Sequence, residues 1–298
     1  MRLGMALPQM GPHADTGRIA EVAAAAETLG YESLWVGERL HAADEPKTPY
    51  PSPAGMPAQM RTCLDPLLVL TVAATATSRV RLGTGTLTAP LRAPVQLARE
   101  LAGLDRLSEG RLIAGFGLSW SRDEYEAAGV PWTERGARLD ETLDVLTALW
   151  GPDPVAHEGR FSRISRGTFQ PKPVQRPLPV YLGGLSPAAL RRAGRRADGW
   201  LGVALPIDAL RHVLSSIDDQ ARAVSRSRVA TAIRINPTIQ ELPTGTPGVG
   251  PVDDLVDYLG SLAELGVGDA FLDLQFTTDD TDALLRVAEE IRTAFPRS

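Results

Sequence analysis

Pro179-Val-Tyr-Leu-Gly-Gly-Leu-Ser-Pro187 is the stretch of this 298-residue sequence that most clearly indicates its fold. The short apolar run at 180–182 predicts a buried strand, and two glycines end it. Ser186 then supplies a helix N-cap and Pro187 occupies the first helical position, so the strand leads directly into a helix. Strand-to-helix units of this kind build parallel sheets, because parallel strands need a long crossover connection.

The same turn is a candidate anion-binding site. Glycines allow a ligand to approach the backbone closely, and the first N–H groups of a helix point outward with a partial positive charge. Phosphate groups commonly bind at such helix N-termini. An ordinary turn with a good helix cap would use the same residues, so this segment alone leaves both interpretations open.

The strand-to-helix pattern recurs along the chain, and glycines such as Gly30 and Gly266 end several of the helices. Eight strands are predicted, over 3–7, 33–36, 81–87, 112–116, 179–182, 200–203, 232–239 and 270–274. Each precedes a predicted helix, over 15–29, 65–77, 94–107, 134–150, 187–196, 206–225, 251–265 and 280–294. Eight such units in a chain of this length predict an α/β protein with a (β/α)8 TIM barrel.

A doubly wound open sheet is the alternative fold. It usually has fewer strands and a glycine-rich first turn, and Leu7-Pro-Gln-Met-Gly11 lacks that fingerprint. No shift in composition marks a second domain. Residues 1–298 are therefore predicted to form one TIM-barrel domain.

Two segments interrupt the regular alternation of strands and helices. The long loop 39–64 follows the second strand and contains prolines 46, 49, 51, 53 and 57. Its place at the end of a barrel strand predicts a lid or a pocket wall. The second segment, 152–178, is an insertion before the fifth strand, and a small hairpin is predicted in it around Phe161 and Phe169.

Composition excludes several classes of function. The chain is 43% apolar and 22% charged, with a net charge of −5 and no block of Lys or Arg, so neither nucleic acid nor a membrane is an expected partner. The single cysteine, Cys63, forbids an internal disulfide, and the four histidines lack metal-ligand spacing, so no metal is predicted. With no signal peptide and no membrane-spanning run, a cytoplasmic protein is expected.

The carboxyl ends of the strands are where a barrel carries its chemistry. Glu38, Glu241 and Asp273 offer carboxylate pairs for a hydrolase, but any barrel supplies such pairs by chance, and the 5% aromatic content is low for sugar binding. Glycines and small hydroxyl residues follow the third, fourth and fifth strands instead. They leave room for a flat ring with a phosphate tail, although close packing at a barrel rim would also use them.

Several segments in this order resemble the bacterial luciferase-like monooxygenase superfamily, especially members that use the deazaflavin coenzyme F420. The resemblance runs over nearly the whole chain. It rests on Ser33-Leu-Trp-Val-Gly-Glu-Arg39, Val80-Arg-Leu-Gly-Thr-Gly-Thr86, Arg106-Leu-Ser-Glu-Gly-Arg-Leu112, Gly115-Phe-Gly-Leu-Ser-Trp-Ser-Arg-Asp-Glu-Tyr125, Pro171-Lys-Pro-Val-Gln175, 179–186 and Ala197-Asp-Gly-Trp200.

The resemblance implies a cofactor site. The family often has a non-proline cis peptide at the end of the third strand, here Gly85-Thr86, behind the cofactor ring. By the same resemblance, Gly117, Trp120 and Ser121 line the site after the fourth strand. Many relatives carry Asn where this chain has Ser121, so the contact there is expected to be shorter or water-mediated. The cofactor phosphate is expected at a third set of residues: Gly183, Gly184 and Ser186.

The end of the second strand departs from the family pattern. Many relatives have an acidic residue followed by a histidine near the reactive ring, whereas this chain has Glu38 followed by Arg39, with His41 two residues later. Arginine stays protonated and cannot act as a general base, but it can orient an anion or stabilise negative charge on a reduced ring. A structural Glu38–Arg39 ion pair is the alternative. His41 is the candidate for proton transfer.

The resemblance thus predicts an oxidoreductase with Glu38, Arg39 and His41 as its catalytic residues. Hydride would pass between F420 and a small organic substrate beneath the 39–64 loop. FMN is the alternative cofactor, and the protein would then be a monooxygenase supplied by a separate flavin or deazaflavin reductase. A non-catalytic flavin- or deazaflavin-binding protein is a further alternative. Relatives suggest a homodimer.

Overall fold

Eight parallel strands close into a barrel in the computed structural model, which describes residues 1–52, 55–242 and 244–295. The strands are β1 (Arg2–Ala6), β2 (Ser33–Val36), β3 (Arg81–Thr84), β4 (Leu112–Gly117), β5 (Val180–Gly183), β6 (Gly199–Val203), β7 (Ala230–Ile235) and β8 (Asp269–Leu272). Each strand pairs with the next, β8 pairs with β1, and β3 pairs with β4 through Leu82–Leu112 and Gly83–Ile113. The predicted (β/α)8 barrel is confirmed.

Eight major helices surround the barrel, one after each strand. They are α1 (Ile19–Leu29), α2 (Pro66–Ala76), α3 (Pro94–Leu107), α4 (Arg135–Trp150), α5 (Pro187–Arg196), α6 (Ile207–Arg222), α7 (Val252–Glu264) and α8 (Thr281–Ala294). Two predicted helix caps are confirmed: Asp65 accepts hydrogen bonds from the N–H groups of Leu67 and Leu68, and Ser186 accepts one from Ala189. No helix in the three described ranges is long and apolar enough to cross a membrane.

The structure corrects three strand boundaries and adds one helix. The predicted strand 81–87 breaks after Thr84, and Leu87–Thr88 pairs separately with the end of β4. The predicted strand 232–239 ends at Ile235, and the predicted strand 270–274 ends at Leu272, before the 3-10 turn Leu274–Phe276. A short helix, Arg122–Ala127, was not predicted.

Aromatic side chains fill the inside of the barrel. The rings of Trp35 and Phe271 stack with their centroids 4.6 Å apart, and both side chains are buried. A Cβ atom on Gly83 would overlap the Trp35 ring, and one on Gly4 would lie 3.0 Å from its Nε1. Glycine at position 83 therefore makes space for the Trp35 indole, whereas a Cβ atom on Gly4 would first meet Ser33 Oγ, the acceptor of the Trp35 Nε1 hydrogen bond.

Both of the predicted irregular segments are present. The loop 39–64 contains the 3-10 turn Ala58–Arg61, and Cys63 forms an isolated β-bridge with Met10. Residues 53 and 54 of this loop lie outside the described residues, as do residues 243 and 296–298 of the predicted domain. The predicted hairpin pairs Val155–Glu158 with Arg163–Gly167 in an antiparallel manner.

A buried carboxylate fastens the end of the insertion to the barrel. Asp105 on α3 is fully buried and accepts hydrogen bonds from the backbone N–H groups of Val174 (2.7 Å) and Gln175 (3.0 Å). It also accepts one from the Gln175 side-chain amide at 2.7 Å. These bonds fix the chain just before it enters β5, and β5 leads to the predicted phosphate turn.

Replacing Asp105 with alanine is expected to lower the free energy of unfolding by about 3 kcal/mol, because buried N–H groups would lose their acceptor. Urea unfolding followed by circular dichroism measures the change. Asp253→Ala, at an exposed position on α7, is the control and should stay close to the wild-type stability. Equal stability of both variants would show that Asp105 does not hold the insertion.

Candidate active site

The carboxyl ends of the strands form the mouth of the barrel. At the end of β3, the peptide bond between Gly85 and Thr86 is cis, which confirms the expectation for this position. After this bond, Leu87–Thr88 resumes parallel pairing with Phe116 and Gly117 of β4. The Gly85–Thr86 segment is thus an interruption between two paired stretches, and its peptide groups are not part of the β3–β4 ladder.

Two of the predicted cofactor residues, Gly117 and Gly183, converge on Thr86, and Gly85 faces the barrel interior. A Cβ atom on Gly117 would lie 2.5 Å from Oγ1 of Thr86, and one on Gly183 would lie 3.1 Å from its Cγ2. A Cβ atom on Gly85 would lie 3.1 Å from Cζ of Phe271 in the barrel interior. The third, fourth and fifth strands therefore bring bare backbone together at one side of the mouth, directly above the aromatic core.

The predicted phosphate turn lies beside this backbone. Gly184 has φ +119°, a conformation that favours glycine, and its carbonyl accepts a hydrogen bond from Nε1 of Trp200 at 3.1 Å. Ser186 caps α5, its Oγ accepting from Ala189 N at 3.2 Å. Residues 184–188 are exposed, so the first turn of α5 is open to an anion.

Glu38 does not pair with Arg39. Its carboxylate accepts hydrogen bonds from the Arg92 guanidinium (2.6 Å to Nη2) and from the backbone N–H of Thr88 (2.5 Å). Burial is the largest single effect on the pKa of Arg92 and lowers it, but the charge and hydrogen bond of Glu38, together with the charges of Asp65 and Glu100, outweigh burial and the pKa is raised. Glu38 therefore ties the end of β2 to the segment that follows the cis peptide, and the alternative of a Glu38–Arg39 pair is wrong.

Arg39 pairs with Glu124 of the short helix Arg122–Ala127, at 3.2 Å, and both side chains are almost completely buried. Its Nε and Nη2 also donate to the backbone carbonyl of His41 at 3.1 Å. The remaining acceptor capacity of Glu124 is used by Leu40 N at 2.7 Å and Ser119 Oγ at 2.6 Å. Arg39 is thus held by the Glu124 carboxylate and the His41 carbonyl, while the His41 side chain is exposed.

Trp120 joins the long loop to the end of β4. The Arg39 guanidinium lies 4.6 Å from the centre of its ring, and Tyr50 of the loop contacts the ring edge-on at 5.2 Å. The predicted neighbour Ser121 is buried and its backbone N–H donates to Ser119 Oγ at 3.2 Å. The first part of the loop 39–64 therefore packs onto Trp120, and the role of the loop as a lid or pocket wall stays a prediction.

A polar network on the other side of the mouth was missed by the sequence prediction. Arg234, near the end of β7, forms an ion pair with Asp273, and Asp273 accepts a hydrogen bond from Gln275 Nε2 at 2.9 Å. Gln275 Oε1 accepts from the backbone N–H groups of Gln9 (2.6 Å) and Met10 (2.8 Å). Only Asp273 of this network is a candidate predicted from the sequence, as a carboxylate for a hydrolase, and Arg234 lies inside the predicted strand 232–239.

This polar network reaches the end of β2 through Arg234 and Gln9. Gln9 is fully buried and brackets Gly37, accepting from its N–H at 2.7 Å and donating to its carbonyl at 2.9 Å. A Cβ atom on Gly37 would lie 3.9 Å from Arg234 Nη1 and 3.9 Å from the carbonyl oxygen of Gly85. Arg234, which is 21% exposed and paired with Asp273, therefore lies on the same side of the mouth as Gly37 and the Gly85 carbonyl.

Neither the hydrolase nor a metal site finds support in this geometry. Glu38 and Asp273 are each paired with an arginine, Arg92 and Arg234, and each also accepts other hydrogen bonds. The part of the chain that the structure describes contains no group of three or more His, Cys, Asp or Glu side chains able to hold a metal ion. Burial raises the pKa of the thiol of Cys63, which is the single cysteine of the chain.

The sequence profile of the family described as luciferase-like monooxygenase matches residues 1–243. The chain belongs to this family. Among curated relatives, the F420-dependent glucose-6-phosphate dehydrogenase of Nakamurella multipartita is 33% identical over 198 residues, which cover 65% of this chain and 52% of that protein.

Solved structures show the same fold. The monooxygenase from Streptomyces bottropensis superposes with a TM-score of 0.79 at 22% identity, covering 99% of this chain and 97% of that one. The coenzyme F420 dependent tetrahydromethanopterin reductase from Methanopyrus kandleri superposes with a TM-score of 0.76 at 20% identity, covering 99% of each chain. At these identities the similarity concerns the fold.

Arg39→Met is expected to lower the free energy of unfolding by about 3–5 kcal/mol, because it leaves the Glu124 carboxylate buried without its cation. Adding Glu124→Gln should restore a large part of this loss, since the double variant holds no unpaired buried charge. Denaturant unfolding of the wild type, both single variants and the double variant gives the coupling energy. Additive losses would contradict a buried Arg39–Glu124 pair.

Proposed function

We propose that this protein is an F420-dependent oxidoreductase that transfers hydride between the deazaflavin and a small organic substrate. The observation that carries the proposal is the convergence of Gly117 and Gly183 on Thr86, beside the exposed first turn of α5. Family membership and the F420-dependent relatives agree with it. The cofactor, when bound, supplies the hydride chemistry, and the protein supplies binding, orientation and electrostatics.

The residues present fit a planar ring with a phosphate tail. Side chains at 117 and 183 would crowd Thr86, so glycine at both positions lets the fourth and fifth strands pack closely against the segment proposed to lie behind a flat ligand. Gly85 and Thr86 back the ring, Trp120 and Ser121 bound it, and Gly183, Gly184 and Ser186 hold the phosphate. The helix N-terminus at Ser186 offers N–H groups and partial positive charge to that phosphate.

The catalytic roles are distributed differently from the family pattern. Glu38 and Arg39 act as positioning residues, since one holds the segment after the cis peptide and the other holds Trp120 and the loop. Arg234 takes the role first considered for Arg39, stabilising negative charge in the mouth, because it is a partly exposed cation on the same side of the mouth as the Gly85 carbonyl. His41 is exposed at the start of the loop and remains the candidate for proton transfer.

Ser186→Asp is expected to weaken F420 binding by about tenfold or more, because the new carboxylate repels the cofactor phosphate. Aspartate is as good an N-cap as serine, so the fold should keep its stability. Fluorescence titration with F420 measures affinity, and thermal unfolding measures stability. Ser186 suits this test better than Gly184, where a Cβ atom would lie 2.8 Å from that of Ala189.

The matched control is Ser186→Asn, which keeps the cap without adding charge and should bind F420 within a few-fold of the wild type. Equal affinity of Ser186→Asp and Ser186→Asn would place the phosphate elsewhere.

The choice between F420 and FMN needs a separate experiment, because the family contains monooxygenases as well. Parallel titrations with F420 and reduced or oxidised FMN should show tighter binding of F420. Anaerobic incubation of the F420 complex with glucose-6-phosphate and with small secondary alcohols should change the F420 absorbance if one is a substrate. Tighter binding of FMN with oxygen-dependent product formation would support the monooxygenase alternative instead.

Homodimerisation, a separate reductase and a cytoplasmic location stay predictions.

A further inference from the structure

A cavity of about 810 Å³ lies at the end of the barrel opposite the mouth. It is bounded by the C-terminal half of α4, by the insertion and by Val180. Val180 is the first residue of β5, whereas the mouth lies at the last residue of that strand, Gly183. The cavity is therefore separate from the proposed cofactor site.

The walls of this cavity are apolar on the side of α4. Leu143, Leu146 and Trp150 on α4 and Leu178 at the end of the insertion contribute to them. Ligand-binding cavities in proteins typically have volumes of about 300–1,000 Å³ and combine apolar walls with a few polar groups. The size and the lining of this cavity both fall within that description.

Cationic side chains dominate the polar part of the lining. They outnumber the carboxylates by five to two in a protein whose net charge is −5. The cations are Lys172, Arg176, Arg195, Arg196 and Arg226, and the carboxylates are Asp153 and Asp198.

Not all of these cations are neutralised by the protein. Lys172 pairs with Asp153 at 2.9 Å, and Arg196 pairs with Asp140 and Asp144 outside the cavity. Arg195 donates to the neutral amide of Gln220 at 3.1 Å. Arg176 has no carboxylate within 4 Å among the described residues. The cavity therefore carries positive charge without matching carboxylates.

One buried donor of this lining lacks an acceptor. Nη1 of Arg226 is buried and makes no hydrogen bond to any described residue, whereas Nη2 donates to the carbonyl of Ala197 at 2.8 Å. Asp198 does not satisfy it, because its Oδ1 lies 3.8 Å from Nη2 and its Oδ2 accepts from Val180 N at 2.9 Å. Buried N–H groups without a partner are rare in proteins. Because Nη1 is closed to solvent, an anion in the cavity would satisfy it once the Arg226 guanidinium turns toward the cavity that it lines.

We propose that this cavity binds a small amphipathic anion, with an apolar body against Leu146 and Trp150 and a carboxylate or sulfonate group at Arg226. The apolar wall and the unsatisfied guanidinium together favour such a molecule. An inorganic ion would leave the apolar wall in contact with water. A neutral apolar molecule would leave Arg226 Nη1 without an acceptor.

Titration with 8-anilinonaphthalene-1-sulfonate, which is fluorescent in apolar sites, tests this proposal. N-phenyl-1-naphthylamine is its uncharged analogue and serves as the matched probe. The full-length protein should bind one equivalent of the sulfonate saturably and the neutral analogue at least about tenfold more weakly, the expected loss for one charge-assisted hydrogen bond. Absence of saturable sulfonate binding, or equal affinity for both probes, would overturn the proposal.

Two variants locate the probe. Arg226→Met removes the guanidinium, and Thr147→Trp fills the cavity from an exposed position on α4, so each should weaken sulfonate binding by about tenfold or more. Arg222→Met, a change of the same charge at an exposed site of α6 outside the cavity, is the control and should bind normally. Ser186→Asp should also bind normally, since it changes only the mouth. If Ser186→Asp weakened sulfonate binding while Arg226→Met and Thr147→Trp did not, the proposed site would be wrong.

Discussion

The stacked rings of Trp35 and Phe271 occupy the middle of the barrel, and the surrounding strands adapt to them. A side chain on Gly83 would run into the indole, so β3 has a hydrogen atom here where other barrels carry branched side chains. The same stack forms the floor beneath Gly85. The packing of the interior and the shape of the mouth therefore have a common cause, the space that two aromatic side chains take.

The rim of the mouth is held by buried charges rather than by regular pairing. Glu38 fixes the segment after the cis peptide through Thr88, and the Arg39–Glu124 pair holds Trp120 and the long loop. A buried ion pair adds little net stability compared with apolar packing, but it penalises any arrangement that separates its partners. This arrangement explains how the first part of the proline-rich loop is held against Trp120, and it gives Arg39 a structural role.

Local patterns were sufficient to predict the order of the strands and helices. Asp65 and Ser186 cap the helices that their sequence neighbours indicated, and glycine stops mark several helix ends. The cis segment came from the family resemblance, because periodicity alone predicted one continuous strand over 81–87. Contacts between distant residues were not predictable: Arg39 and Glu124 are 85 positions apart, and neither residue's neighbours indicate the other.

The central claim is that the backbone around Thr86, together with the first turn of α5, holds a deazaflavin. A crystal structure of the protein grown with F420 tests this most directly. The account predicts electron density for the ring against Gly85–Thr86 and for the phosphate within hydrogen-bonding distance of the N–H groups after Gly183. Density for the cofactor at any other place, or a side chain of the protein occupying that position in the F420-saturated crystal, would contradict it.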